Sequence, residues 1–443
     1  MPQPLPLIAG FEAASPLIRQ RGAVVTAGEF LGQVLALAAA LPDPPYLVNL
    51  CEQRANFLVA WCAAAVRGQT NLLPASRAPQ VIADAQASYG DNHIVDDAVV
   101  QAVLARRPAA AGRADLPHIA ADHIVQIAFT SGSTGTPTAH AKRWGSLQFN
   151  TRFNAERIRE CLGQAPLDTQ PTLIATVPPQ HMYGTETSVL LPLLAGMAVH
   201  ADRPLFPGDV AVALAQVPAP RILVTTPVHL RTLLASSLDF PALAAVLSAT
   251  APLDAPLALR VAAGLRAPLL EMFGSTETCV IATRLTASES RWRLYPGITL
   301  EPAADHTWVH APWFDQPTRL QDVVELTADG HMLLRGRNVD MVEIAGKRAS
   351  LSDLTRRLLA IPGVRDAVVF QPSDGEAEAQ GVGKVQRLAA AVVAPTLNAA
   401  QILTLLAQSV DPAFLPRPLL LLAELPRNEL GKTARAQLLQ LLR

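Results

Sequence analysis

The chain has 443 residues, and its 36 Lys and Arg against 37 Asp and Glu leave a formal net charge of -1. That balance offers no polyanion-binding surface and excludes nucleic acid as an expected partner. Half of the residues are hydrophobic, enough for a large core, and the length implies about two to four domains. The four cysteines, Cys51, Cys62, Cys161 and Cys279, are scattered without a C-x-x-C spacing, so they read as reduced, mostly buried thiols of a cytoplasmic protein. The N-terminal stretch has no basic region followed by an apolar core, so no signal peptide is expected. The longest apolar runs, such as Phe57 to Val66, are about half of what a membrane-spanning helix needs, so no membrane span is expected either.

In chain order, Val25 to Leu41 reads as an amphipathic helix with Thr26 as its N-cap. Tyr46 to Leu50 is a short apolar strand, and Asn56 to Arg67 a second helix ended by Gly68. The alternation continues through Gln80 to Ile94, which is α/β punctuation. Ala105 to Leu116, rich in Ala, Arg, Pro and Gly, is expected to be an exposed connection. Ile124 to Phe129 reads as a buried strand leading into Thr130-Ser131-Gly132-Ser133-Thr134-Gly135-Thr136-Pro137. Such a loop can turn backbone N–H groups and hydroxyls toward one point, which is an anion site with phosphate as its usual occupant. Taken alone, the same cluster is an ordinary turn.

Further strands are expected at Leu173 to Val177, Ile222 to Thr225, Ala245 to Ser248 and Leu269 to Phe273. They end, respectively, in Pro178-Pro179-Gln180-His181-Met182-Tyr183-Gly184, Thr226-Pro227, Ala249-Thr250-Ala251-Pro252 and Gly274-Ser275-Thr276-Glu277-Thr278. A helical run, Thr187 to Leu194, follows the first. In open α/β sheets, ligands bind beyond the carboxyl ends of the strands, so these polar ends are where a site belongs.

From about Trp308 the pattern changes to short alternating strands, Val323 to Leu326, Met332 to Arg335 and Met341 to Ile344, with turns at Asp329-Gly330 and Ala345-Gly346. Helices at Leu351 to Ile361 and Ala399 to Ser409, strands at Ala367 to Gln371 and Ala389 to Val393, and a polar loop from Ser373 to Gly383 complete a small α+β unit. The expected fold is α/β: a large N-terminal domain of mixed sheets flanked by helices, residues 1–336, and a small mobile C-terminal α+β domain, residues 340–443, joined by a hinge at 337–340.

Four separated elements need a common explanation: the Thr130–Pro137 loop, the Gly274-Ser275-Thr276-Glu277 stretch, Asp322 followed by Arg337, and the turn Pro426-Arg427-Asn428-Glu429-Leu430-Gly431-Lys432. The set resembles the adenylate-forming superfamily of acyl- and aryl-CoA synthetases, peptide-synthetase adenylation domains and luciferases. Its motifs occur in the family's order from about Val25 to Lys432, which carries far more weight than any one motif.

The resemblance implies an enzyme, an AMP-forming acid–thiol ligase that uses ATP and Mg²⁺. It implies that Thr130, Ser131, Gly132, Ser133, Thr134 and Gly135 form the loop over the β- and γ-phosphates. Thr276 would bond the α-phosphate and Glu277 would hold Mg²⁺, since a hard cation suits oxygen ligands. Thr250, Ala251, Phe273, Gly274 and Ser275 would border the nucleotide, and Asp322 would accept from the ribose hydroxyls. Arg337, just before the hinge, would lie near the ribose and phosphate. Lys432 would contact the α-phosphate and the carboxylate. His181 would gate the acid site, with Tyr183, Gly184 and Gly274 lining the same pocket. Outside the resemblance, Glu277 reads as a helix-terminal carboxylate, Asp322 and Lys432 as solvated turn residues, and His181 as a structural histidine.

The chain departs from the family pattern in four places. The phosphate loop usually continues Pro-Lys-Gly, but here it reads Pro137-Thr138-Ala139-His140-Ala141-Lys142-Arg143; Lys142 or Arg143 is a candidate source of the missing charge. Val339 stands at the hinge position usually held by Asp or Lys, with Asp340 after it, and Glu343 stands where a lysine is common on the CoA-binding side. The segment before the loop is also short for the family. Amino-acid-activating members carry an aspartate after the His181 element; here Thr185-Glu186-Thr187-Ser188 follows, and Glu186 is the only acidic candidate. An acid without an amino group, aryl such as a hydroxybenzoate or an acyl chain, is therefore expected. The compact chain is similar to stand-alone aryl and acyl ligases of bacterial polyene and pigment pathways, which favours an acyl carrier protein slightly over CoA as acceptor. A nucleotide-binding scaffold that has lost catalysis is the alternative of a different class; Lys432 together with Glu277 and Asp322 argues against it. A P-loop kinase or ATPase would need Gly-x4-Gly-Lys-[Ser/Thr], which is absent.

Overall fold

The computed structural model describes residues 3–106, 115–130, 138–163, 170–303, 306–337, 341–344, 347–372, 387–427, 433 and 435–442. Among these residues, nine strands form the larger of two main sheets. In spatial order they are Arg293–Leu294, Cys279–Leu285, Leu269–Ser275, Ala245–Ser248, Arg221–Thr225, Thr172–Ala175, Ala198–His200, Pro16–Gln20 and Ala23–Thr26. The six from Leu269–Ser275 to Pro16–Gln20 run parallel, and the strands flanking them are antiparallel. Parallel strands covered on both faces need continuous apolar runs, and Ile222 to Val224 and Ala245 to Leu247 are such runs, fully buried.

The second main sheet has five strands, ordered Asn92–Val95, Tyr46–Asn49, Thr70–Leu73, Ile124–Thr130 and Thr138–Arg143. The first four are parallel and the last closes the edge antiparallel. One apolar core runs between the two sheets, through Phe30, Phe57, Trp61, Trp144 and Trp292. The helix Ala27–Ala38 starts where Thr26 and Glu29 cap each other's backbone amides at 3.2 and 2.8 Å, a capping box worth about 1 kcal/mol. The helix Arg54–Val66 is buried along nearly its whole length, and Gly68, at φ +70°, turns the chain out of it.

Two stretches differ from expectation, and a third takes a form that the sequence leaves open. The helix expected from Thr187 begins at Met182, with His181 as N-cap residue, and passes through a π turn over Glu186–Leu190 into Leu191–Leu194. Its Thr and Ser residues return their hydroxyls to the helix backbone: Thr187 Oγ1 donates to Tyr183 O at 2.6 Å and Ser188 Oγ to Gly184 O at 2.7 Å. Leu269–Ser275 runs two residues beyond Phe273, so Gly274 and Ser275 belong to the strand. Thr138–Arg143 is a strand.

Toward the C-terminus, Asp366–Phe370, Ala389–Val393 and Leu419–Leu421 form a three-stranded sheet. Its apolar cluster, with Val369, Ala390 and Val392, is covered by Leu354 and Leu358 of the helix Leu351–Leu359 and by Ile402 and Leu406 of Ala399–Leu406. Of the connection expected from Ala105 to Leu116, Ala105 and Arg106 instead end the helix Asp97–Arg106, and residues 107–114, like the hinge residues 338–340 and the polar loop from Ser373 to Gly383, lie outside the described residues. No described helix is long and apolar enough to cross a membrane.

Candidate active site

Ser131, Gly132, Ser133, Thr134 and Gly135 lie outside the described residues, but the posts of their loop are described. Thr130 and Thr138 are cross-strand partners, so the two ends of the stretch 131–137 are pinned side by side. Side chains alternate along a strand, which puts Thr138, His140 and Lys142 on one face. Lys142 is buried, and its Nζ donates to the main-chain oxygen of Glu277 at 2.5 Å. The His140 Nε2 lies 3.1 Å from Thr130 Oγ1 and 3.6 Å from Glu277 Oε1. The strand after the loop thus holds the Glu277 turn by its backbone and meets its side chain.

The turn itself closes the hairpin between Leu269–Ser275 and Cys279–Leu285, with Ser275 opposite Cys279 and Thr276, Glu277 and Thr278 at its tip. Ser275 N–H donates to Thr278 Oγ1 at 3.1 Å, and Thr278 Oγ1 donates to Cys279 O at 2.8 Å. A Cβ on Gly274 would stand 2.0 Å from Cys279 O, so only glycine fits, and the register shifts there between Phe273 and Gly274. Burial pushes the Glu277 carboxyl up, but hydrogen bonds from Ser275 and its own backbone, with the charges of His140 and Lys142, outweigh it and hold the group below the usual range. Glu277 is therefore an ionised, partly exposed carboxylate. No cluster of three His, Cys, Asp or Glu exists among the described residues. The donor set thus fits Mg²⁺ in one way: a single carboxylate, with remaining positions left to phosphate oxygens and water.

His181 lies six residues beyond the carboxyl end of the strand Thr172–Ala175, as N-cap of the following helix, and its carbonyl accepts from Thr185 N–H at 2.8 Å. A Cβ on Gly184 would lie 1.9 Å from Pro178 O; close backbone contact therefore dictates this glycine. Tyr183 is buried, and burial raises its hydroxyl well above the ordinary range. Gln126 ties this element to the strand Ile124–Thr130: it accepts from Trp61 Nε1 at 3.0 Å and donates to Met182 Sδ at 3.6 Å. Arg54 supports it from below, donating to Ala175 O and Val177 O at 3.0 Å each.

Glu186 is turned into the core. Its Oε1 accepts from Val280 N–H at 3.0 Å and Asn154 Nδ2 at 3.4 Å, while Tyr295 Oη donates to Asn154 Oδ1 at 2.6 Å. Burial drives its carboxyl up to about 7 against the pull of these bonds and of Lys142.

The other expected residues stand as follows. Thr250 adopts φ +79° at the end of Ala245–Ser248, followed by Ala251; Phe273 packs its ring against Trp292 at 5.3 Å. Asp322 is buried at the start of Asp322–Leu326, in a separate hairpin where it is the cross-strand partner of Arg337. Lys432 lies outside the described residues. Arg427, five residues before it, is held by Asp366 through two bonds of 2.8 and 2.6 Å. Two members of the site were not foreseen: His140, and the buried brace formed by Glu186, Asn154 and Tyr295. The alternation Thr138, His140, Lys142 would have revealed the first had the stretch been read as extended.

Comparison with known proteins shows the family of the chain. The sequence pattern described as "AMP-binding enzyme" matches residues 45–337. A 4-coumarate–CoA ligase of Halorhodospira halophila is 30% identical over 328 residues, covering 72% of this chain and 78% of the relative. An indoleacetate–CoA ligase of Aromatoleum aromaticum is 24% identical, covering 73% and 68%. The o-succinylbenzoate CoA synthetase of Bacillus subtilis, solved with its acyl-adenylate intermediate, superposes with a TM-score of 0.76 at 18% identity, covering 98% of this chain and 95% of that one.

Proposed function

The chain belongs to the AMP-binding enzyme family, and from that premise we propose that it couples a carboxylic acid lacking an amino group to a thiol through an acyl-adenylate. The observation that carries the reading is the Glu277 turn, gripped by Lys142 at 2.5 Å and met by His140 beside the posts of the phosphate loop. In the first half-reaction the substrate carboxylate attacks the α-phosphorus of ATP and pyrophosphate leaves. Charge grows on the phosphate oxygens, so preorganised donors and positive potential supply most of the rate. Thr130 and residues 131–135 cradle the β- and γ-phosphates, Thr276 bonds the α-phosphate, and Asp322 with Arg337 holds the ribose side. Mg²⁺, when bound, neutralises phosphate charge, and Glu277 is the residue that would hold it. Lys432 reaches the α-phosphate and the acid from a C-terminal domain, residues 340–443, that turns on the hinge 337–340 against the domain 1–336.

His181, Tyr183, Gly184 and Gly274 border the acid. An aryl acid is favoured because the relatives named above act, by their names, on 4-coumarate and indoleacetate. An amino acid is disfavoured because the Glu186 carboxylate is spent on Val280 N–H and Asn154. The acceptor is a pantetheine thiol. CoA is supported by the names of the relatives; a carrier protein remains the second reading, supported by Val339 and Glu343 at positions where CoA-using members differ. ATP–pyrophosphate exchange across a panel of aryl, fatty and amino acids tests the first half-reaction, in cytoplasm-like buffer with Mg²⁺. Exchange with aryl acids is the expected result, and exchange with none would favour a nucleotide-binding scaffold. Adding CoA, or a phosphopantetheinylated carrier protein, then identifies the acceptor.

A further inference from the structure

The strand Thr138–Arg143 carries three polar residues on the face turned toward the Glu277 turn, and their contacts differ. Thr138, where related loops place a lysine, stands at the loop mouth opposite Thr130. Lys142, the obvious substitute, is buried with its ammonium on Glu277 O at 2.5 Å. It is therefore committed to the back of the turn and does not replace the charge at 138. His140 lies between them, and its Nε2 is the atom that lies between two elements of the site: Thr130 Oγ1 at 3.1 Å and Glu277 Oε1 at 3.6 Å.

We propose that His140 is a positioning residue that keeps the Glu277 carboxylate and the Thr130 hydroxyl in register for the magnesium-bound phosphates. The carboxylate beside Nε2 favours the tautomer with its proton on that nitrogen. The N–H then points between the carboxylate and the Thr130 oxygen. A hydroxyl that accepts from a ring N–H is polarised to donate its own proton onward, and the next acceptor along this chain is whatever anion the loop holds. His140 thereby joins the two sides of the nucleotide site, the post of the loop and the metal-side carboxylate, while Lys142 fixes the main chain of the latter. This deepens the adenylation reading and rests on it for the identity of the anion.

The test is a double-mutant cycle on nucleotide binding. Calorimetric affinities for ATP are measured with Mg²⁺ and with EDTA in the parent chain, in His140→Leu, in Glu277→Gln and in the double variant. His140→Gln, which keeps a nitrogen near the position of Nε2, is the conservative comparison. His140→Leu and Glu277→Gln are each expected to weaken Mg²⁺-ATP binding about tenfold. The double variant should lose little beyond either single one, and metal-free ATP should be affected much less. His140→Gln should recover most of the loss. Fully additive losses, or parent-like Mg²⁺-ATP binding in His140→Leu, would overturn the proposal, as would equal loss in His140→Leu and His140→Gln. Exchange activity is read separately. A parent that shows the coupling but exchanges pyrophosphate with no acid would sink the adenylation reading while leaving the positioning role supported. A parent that binds no Mg²⁺-ATP sinks both.

Discussion

Replacing Glu186 by Gln probes the brace behind the site through its pH dependence. The carboxyl is fully buried and titrates at about 7 rather than at its ordinary 4.5. The folded chain therefore keeps this proton up to about pH 7, while the unfolded chain releases it at the ordinary value. The stabilisation from holding the proton is full below the unfolded value and is lost as pH rises through the folded one. A tenfold change in proton affinity is about 1.4 kcal/mol, so the gap amounts to about 3 kcal/mol at most. Glutamine keeps the Oε1 acceptor for Val280 N–H and Asn154 but carries no charge at any pH. Near pH 5, where the unfolded carboxyl has begun to ionise, the variant should be the more stable by no more than about 1 kcal/mol; at pH 8 the difference should reach about 3 kcal/mol. Urea unfolding at pH 5, 6, 7 and 8, followed by the fluorescence of buried Trp144 and Trp292, measures the difference, from which other titrating groups cancel. A difference that does not change with pH, or a variant destabilised at pH 8, would refute the reasoning.

Lys142→Met should leave the Glu277 carbonyl without its buried donor, costing about 1–3 kcal/mol, and slow pyrophosphate exchange by about tenfold or more; unchanged exchange would mean the turn does not need this grip. Gly184→Ala must displace backbone, since the new Cβ would meet Pro178 O at 1.9 Å. It should cost about 3 kcal/mol or more, and calorimetry showing a parent-like melting temperature would contradict the geometry. Arg427→Ala breaks the paired bonds to Asp366. A loss of about 1.5–3 kcal/mol is expected, with faster amide exchange confined to the C-terminal sheet; unchanged stability, or faster exchange spread over the whole chain, would contradict it.

The sequence was most legible where one requirement dominates. The parallel strands Ile222 to Val224 and Ala245 to Leu247 are buried on both faces, so their apolar runs had one reading. The helix Ala27–Ala38 declared its start through Thr26 and Glu29. Boundaries failed where burial overrides local propensity. Met182 to Glu186 fall outside the expected helix, yet these residues are buried in helical and π turns that run on into it, where carbonyls of Tyr183 and Gly184 accept the Thr187 and Ser188 hydroxyls. Gly274 reads as a turn residue, but it lies in a strand because the backbone of Cys279 approaches too closely for any side chain. Motif order in the sequence singles out Glu277, Asp322 and His181 as candidates. His140 was not, because its role depends on strand alternation and on Glu277, which is distant in sequence and adjacent only in space. Lys142 was visible as a charge, but its engagement with a main-chain oxygen is a tertiary fact.

The central claim is that an acid is activated as its adenylate. The most direct measurement uses the best-exchanging acid with both carboxylate oxygens labelled as oxygen-18, ATP, Mg²⁺ and a thiol acceptor, followed by mass spectrometry of the nucleotide. Attack of the carboxylate on the α-phosphorus predicts one labelled oxygen in the AMP released by thioester formation. Label appearing in inorganic phosphate with ADP as the nucleotide product, or remaining wholly in the acid while ATP is consumed, would contradict the account.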